Sequence, residues 1–149
     1  MAENKVDVVQ LQADMAKQAE ELKGLALSLM PKEAVAIVEN AKANGAKPYT
    51  VQIGDDFYVY RSLSRFEYKQ LSMEMAKQAA SLMAQAEDPN SGKLMVQMKT
   101  EEMIVKKACI YPAMDDMLIK EVPAGVIETL HNAIMMSSGF GQEVIPVKL

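Results

Sequence analysis

Two residues in this sequence are of the types that serve as nucleophile and base in covalent catalysis: the single cysteine, Cys109, and the single histidine, His131. A catalytic thiol needs a lowered pKa and a neighbouring base. Cys109 follows Lys106-Lys107 near the predicted end of a helix, where the negative helix terminus raises a thiol pKa. His131 falls inside a helical stretch, half-buried or at its surface. We therefore expect neither residue to act in catalysis.

Two pairs of adjacent carboxylates are the remaining candidates for chemistry. Asp55-Asp56 follows Gly54 in a predicted turn, where aspartate is favoured for local hydrogen bonds. Asp115-Asp116 lies in a polar loop without the alternating oxygen ligands of a calcium site. One cysteine excludes a multi-cysteine zinc site, and the sequence carries no phosphate-binding glycine loop and no hydrolase motif. We expect no enzyme activity, no metal and no cofactor.

Charge and composition narrow the classes of partner. The chain has 149 residues, 16 Lys+Arg, 20 Asp+Glu and a formal net charge of −4, with no basic cluster. Nucleic-acid and acidic-membrane binding both need clustered positive charge, so we expect neither. The 13 methionines indicate either a pliable helical core or an exposed binding surface. With no signal peptide and no long apolar run, we expect a protein made in a cytoplasm.

The first 47 residues are predicted to form a helical arm. Leu11, Met15, Leu22 and Leu29, with Ala19 and Ala26 between them, recur at helical spacing over about three heptads. This stripe either packs on the protein's own body or pairs with a second copy or a partner. A second helix over 32–43 ends at Gly45 and Pro48, which places the domain boundary between 1–47 and 48–149.

Residues 48–149 are predicted to form a small, mostly helical domain. A β-hairpin spans 49–60, and its second strand is apolar on both faces, so the hairpin must lie against other elements. Ser64 and Glu67 form a capping box that opens a helix to residue 86. We then predict a loop at 88–92, a helix over 100–109, an ambiguous segment 113–122, a final helix from 123 and a strand over 143–147. The fold class is α+β, mostly α-helical: a helical N-terminal arm, one β-hairpin, three further helices and an extended C-terminal strand.

Six of the eight aromatic residues lie within twenty positions, beside both arginines. Tyr, Phe and Arg together are typical of protein interfaces, although the same residues also suit a core around the hairpin. Both interpretations stay open. The candidate partner-binding residues comprise the arm stripe, this cluster and the C-terminal strand: Leu11, Met15, Leu22, Leu29, Tyr58, Tyr60, Arg61, Arg65, Phe66, Tyr68, Val144 and Ile145.

Three segments resemble one protein family. Residues 57–68, FYVYRSLSRFEY, are similar to the strand–Arg–(Ser/Thr)-Arg-x-Glu-Tyr signature of small tailed-bacteriophage proteins known as tail assembly chaperones and baseplate hub assembly proteins. Residues 101–112, EEMIVKKACIYP, resemble their helix that ends in hydrophobic-Tyr-Pro. Residues 122–140 resemble their closing helix, with Gly125, Leu130 and Ser138-Gly139-Phe140 in the expected order. The resemblance covers about residues 49–141 and leaves the arm outside.

The resemblance implies a non-enzymatic bacteriophage protein that works through protein–protein contacts in tail or baseplate assembly or structure. Its expected partners are tail, baseplate or other virion proteins, in a homo- or hetero-oligomer, within the host cytoplasm or in the virion. An alternative is a permanently incorporated virion adaptor of the capsid, neck or baseplate. A small phage-encoded inhibitor or enzyme is the third alternative.

Overall fold

The computed structural model describes residues 8–141, which form six helices and three strands. In chain order these elements are α1 (Val8–Leu29), α2 (Lys32–Ala43), β1 (Pro48–Ile53), β2 (Asp56–Arg61), α3 (Arg65–Gln85), α4 (Pro89–Ala108), β3 (Cys109–Tyr111), α5 (Asp116–Glu121) and α6 (Ala124–Ser137). The predicted mostly α-helical α+β class is confirmed. The predicted C-terminal strand, with Val144 and Ile145, lies outside the described residues.

The three strands form one antiparallel sheet in the order β1-β2-β3. The predicted hairpin is present, and Val51 faces Tyr58 across it. A two-residue turn joins its strands at Gly54, whose φ of +64° is a conformation that favours glycine. The prediction that this helix includes Cys109 is wrong, because the helix ends at Ala108 and Cys109 begins the strand β3. That short strand pairs with β2 and converts the hairpin into a sheet.

The sheet lies between two layers of helices, which explains why β2 is apolar on both faces. Tyr58 and Tyr60 point into the main core, where they pack with buried residues of α4 and α6. Val59 points the other way, into a smaller core with Ala34 and Val38 of α2. Alternate residues of a strand face opposite sides of the sheet, so a central strand between two layers buries every side chain in its middle.

The helix α3 begins at the predicted capping box. The Glu67 backbone N–H donates to Ser64 Oγ at 3.1 Å, and the Ser64 N–H donates to Glu67 Oε1 at 3.2 Å. Two backbone donors at the helix start are thereby satisfied by side chains. Leu63, which precedes the cap, is buried in the main core.

The prediction of a loop over 88–92 is wrong, because these residues cap and begin α4. Asp88 is the N-cap: its Oδ1 accepts the Ser91 N–H at 2.8 Å, and Pro89 occupies the first helical turn. Gly92 lets α3 approach closely, since a Cβ there would lie 2.6 Å from the Met83 sulfur. Thr100, the predicted N-cap, instead lies inside α4 and donates to the Val96 carbonyl.

The last part of the fold completes the main core. The ambiguous segment 113–122 contains α5, capped by Asp115 Oδ1, which accepts the Leu118 N–H at 2.8 Å. Among the described residues, four helices (α3 to α6) therefore follow the hairpin, rather than the three that were predicted. The final helix is confirmed as α6, and its Val126, Leu130 and Ile134 are buried in the main core.

Candidate partner-binding site

The helix α1 carries a continuous apolar surface that the rest of the described chain does not cover. Its apolar residues follow alternating steps of three and four, the heptad spacing of a coiled coil. Leu22 is 66% exposed, Leu29 61% and Met15 60%, and α1 contains no buried residue. We call this surface the arm seam and define it by Val8, Leu11, Met15, Gln18, Leu22, Leu25 and Leu29.

The arm seam contains all four arm residues that the sequence analysis selected: Leu11, Met15, Leu22 and Leu29. Leu25, which is 56% exposed, occupies the same seam but was absent from the predicted stripe, where Ala19 and Ala26 stood instead. The signal for Leu25 was present in the sequence, because strict steps of three and four from Leu11 reach position 25 rather than 26.

A helix of this kind does not bury its apolar face within its own chain. Most helical stability in proteins comes from packing of an amphipathic face rather than from the helix propensity of the residues. From here on, the arm means α1, and the body means the elements from α2 to α6. The arm joins the body at its C-terminal end, where Met30 is buried in the smaller core with Ala34 and Val38. Pro31 follows and separates α1 from α2. The arm seam thus has the composition of an interface.

A groove lies at the base of the arm, between α1, α2 and the sheet. Its volume is about 590 Å³ and it is open to solvent. Leu22 and Leu29 of the arm seam border it, and Thr50, Gln52 and Phe57 form its floor on the sheet. The groove continues the apolar surface of the arm seam toward the body.

The aromatic–arginine cluster divides between core and surface. Tyr58 and Tyr60, predicted as partner-binding residues, are only 4% and 5% exposed and lie in the main core. The Tyr60 hydroxyl shares a hydrogen bond of 3.0 Å with Ser137 Oγ. Because the sheet is covered on this side by α4 and α6, neither tyrosine presents a surface to a partner. This corrects the interface interpretation for both residues.

The other members of the cluster lie at the start of α3. Arg65 and Phe66 are exposed, and Phe66 is 68% exposed. Tyr68 is half-buried, and its ring lies 4.7 Å from that of Phe140. Phe66 and Arg65 are therefore accessible, whereas Tyr68 is engaged within the chain. The start of α3 offers a second, smaller apolar surface.

Arg61 is held in a network at the end of β2. Its Nη1 donates to Glu67 Oε1 at 2.8 Å and its Nη2 to Glu67 Oε2 at 2.6 Å. Nη2 also donates to the Lys107 carbonyl at 3.4 Å. These hydrogen bonds, and to a smaller extent that of Ser64, lower the pKa of Glu67 from 4.5 to about 2. The Arg61 pKa is raised by the same hydrogen bonds to Glu67. Arg61 therefore joins the sheet to α3 and is not free for a partner.

The candidate nucleophile and base are held in separate local environments. The Cys109 thiol is buried, and its single S–H has three possible acceptors, the backbone carbonyls of Val59, Tyr111 and Pro112, at 3.4–3.7 Å. Burial raises the pKa of the Cys109 thiol to about 12, so it is not the reactive thiolate that catalysis requires. The ring of His131 contacts Asn132, its neighbour on α6. The predicted direction of the Cys109 shift is confirmed, although its main cause is burial and not the helix terminus.

Residues 8–141 contain no group of three or more His, Cys, Asp or Glu side chains that is arranged to hold a metal ion. Over the same residues, no helix combines the length and apolar character needed to cross a membrane. Comparison with family models, with curated proteins and with solved structures found no match for this chain.

Proposed function

We propose that this protein is a non-enzymatic bacteriophage protein that binds other proteins of the phage tail or baseplate during assembly or in the finished structure. One observation carries the binding role: an exposed apolar seam that runs along α1, from Val8 to Leu29. Continuous apolar surfaces of this kind on soluble proteins commonly mark protein interaction sites. An amphipathic helix that lies in an apolar groove of its partner is a common form of such binding.

The resemblance to tail assembly chaperones and baseplate hub assembly proteins supports the bacteriophage role. Its three segments are joined in space by hydrogen bonds. The Leu63 N–H donates to Ser138 Oγ at 2.8 Å, and Arg61 reaches the Lys107 carbonyl. The resembling segments thus build one framework, and the arm that we assign to binding is an addition to it.

The test is affinity purification of the tagged chain from cells in which the phage particles assemble, with mass spectrometry of the proteins that accompany it. We expect tail or baseplate proteins to be recovered with the wild-type chain and lost with Leu22→Asp, which places a charge in the arm seam. The matched control is Ala13→Asp, which adds the same charge on the opposite face of α1 and should retain the partners. Recovery of no tail or baseplate protein, or full recovery with Leu22→Asp, would contradict the proposal.

Mass spectrometry of purified particles distinguishes the two forms of the proposal. A transient assembly chaperone is absent from the finished particle, whereas a permanently incorporated adaptor is present in fixed copy number. This measurement needs no variant.

A further inference from the structure

We propose that the arm seam binds the arm seam of a second copy of this chain, as a parallel, in-register, two-stranded coiled coil. The inference rests on the proposed function and refines it: the seam itself is covered in the pair, so the paired arms and the groove at their base form the surface that a tail or baseplate protein contacts. Alternating steps of three and four continue from Val8 to Leu29 with a single polar residue, Gln18. This is about three heptads of uninterrupted spacing, which approaches the length at which coiled coils become stable.

Gln18 indicates the direction of the second helix. In a parallel, in-register pair, equivalent seam residues face each other, so Gln18 meets Gln18 of the second copy and the two amides can hydrogen-bond. The seam has two kinds of position, called a (such as Met15 and Leu22) and d (such as Gln18). In an antiparallel pair each d position faces an a position, so Gln18 would face Met15 or Leu22 of the second copy. A buried amide against an aliphatic side chain loses its hydrogen bonds, which is costly. A single polar residue in an apolar seam is a known determinant of register.

The charges beside the seam favour the same direction. Asp14 and Glu21 are exposed along one flank, and Ala19 and Ala26 form the other. In an antiparallel pair, identical flanks meet, so the two acidic flanks would repel each other. In a parallel pair, each acidic flank meets the alanine flank of the other helix.

The groove beside the alanine flank carries positive charge. Ala19 and Ala26 line the groove at the base of the arm together with Lys23 and Lys42. In the parallel pair, Glu21 of one copy lies beside Ala26 of the other, on the flank that borders the groove with Lys23 and Lys42; Lys23 also pairs with Glu20 of its own helix at 4.0 Å. The acidic flank therefore approaches a basic groove, which is the charge complementarity expected of a specific pair.

The position of the body is compatible with this pair. Each body adjoins the alanine flank and the C-terminal end of the seam of its own arm, because the groove is lined by Ala19 and Ala26 together with Leu22, Leu25 and Leu29. In a parallel pair with two-fold symmetry, the two alanine flanks lie on opposite sides of the coiled coil. The two bodies consequently extend in opposite directions, and the seam beside each body stays accessible, since Leu22, Leu25 and Leu29 are 66%, 56% and 61% exposed.

Single cysteines in the full-length chain test the direction and register. Under mild oxidation we expect Leu11→Cys to form a covalent dimer with itself, and Leu29→Cys to do the same, because equivalent positions are adjacent in a parallel pair. A mixture of the two variants should give little of the mixed 11–29 species. The wild-type chain is the control, since its only thiol, Cys109, is buried. Predominant 11–29 cross-links would show an antiparallel pair and overturn the proposal.

The solution mass tests the pairing itself without introduced cysteines. Light scattering after size-exclusion chromatography should give twice the 16.4 kDa chain mass for the wild type. Leu22→Asp should weaken the dimer by at least about 100-fold and give the single-chain mass at micromolar concentration. Ala13→Asp should stay dimeric. Near-ultraviolet circular dichroism of the tyrosines, which all lie in the body, checks that the body of each variant remains folded.

The outcomes separate this inference from the proposed function. A wild-type chain that is monomeric at 100 µM and yet recovers tail proteins through the arm would refute the self-pairing and leave the proposed function standing. A purified dimer that recovers no phage protein would support the self-pairing and contradict the proposed function. A trimer or tetramer would refute the two-stranded arrangement.

Discussion

The stability of this protein should decrease in acid through one carboxylate, Glu67. Arg61 and Glu67 form a two-point ion pair, and their side chains are only 25% and 22% exposed. Paired carboxylates of this geometry are stronger than single surface contacts. The pKa of Glu67 falls from 4.5 to about 2 in the folded protein, mainly through the hydrogen bonds from Arg61.

The magnitude follows from linkage between proton binding and folding. A lowered pKa in the folded state stabilises the protein above the unfolded pKa, and this stabilisation is lost as the pH falls toward the folded value. The difference between 4.5 and about 2 corresponds to about 3 kcal/mol at neutral pH. Less than half of it should remain at pH 3 and almost none below pH 2.

The assay compares the wild type with Glu67→Gln in urea titrations at pH 7, 5, 4, 3 and 2.5. Glutamine keeps an oxygen for the capping box with Ser64 but cannot ionise, and its amide nitrogen cannot accept the second Arg61 hydrogen bond, so only the pH-dependent part of the difference reports the charge. Tyrosine near-ultraviolet circular dichroism should follow unfolding of the body. We expect the difference in unfolding free energy to be about 3 kcal/mol at pH 7 and to diminish steadily below pH 5.

The matched control is Asp116→Asn, which removes the charge of an ion pair with Lys106 whose carboxylate is 76% exposed. Because water screens that pair, its removal should change the pH dependence far less. If the wild-type and Glu67→Gln free energies remain parallel from pH 7 to pH 2.5, then Glu67 titrates alike in both states, and the reasoning from its contacts is refuted.

Three further predictions concern the cap, the core and the thiol. Ser64→Ala should lower the unfolding free energy by about 1 kcal/mol in urea titrations through loss of the N-cap, and no measurable change would contradict the cap. Leu130→Ala, at a fully buried position, should cost about 2–5 kcal/mol in the same assay; a cost below that range would mean that α6 is not packed as described. Cys109 should react with Ellman's reagent at pH 8 far more slowly in the native protein than in urea, and equal rates would show that the thiol is accessible.

Local signals in the sequence predicted the elements whose interactions are local. The capping box at Ser64 involves residues three apart, and the turn at Gly54 involves neighbours, so both could be recognised from spacing alone. The heptad pattern of the arm is also local, and most of the seam was identified from it. The buried residues of α6, Val126, Leu130 and Ile134, follow the same helical periodicity.

The incorrect predictions involve contacts between distant parts of the chain. The strand β3 is three residues long and carries no pattern of its own; it exists because β2 offers an open edge. The segment 88–92 has turn-forming residues, but Asp88 and Pro89 are equally suited to begin a helix, and packing of Gly92 on Met83 selects that outcome. Tyr58 and Tyr60 could not be assigned to core or interface because the buried residues of α4 and α6 that cover them begin at Ile104, 44 positions after Tyr60.

The attachment of α1 to the body has a consequence for how the protein responds to dilution. The helix buries none of its own side chains, so its order depends on whatever covers the seam, whereas the sheet-centred body carries its own core. Dilution therefore shifts the folding equilibrium of α1 and leaves that of the body unchanged. As the concentration falls, the mean helix content should fall with it while the tyrosine signal stays constant, and a single melting temperature would then describe the body but not the arm.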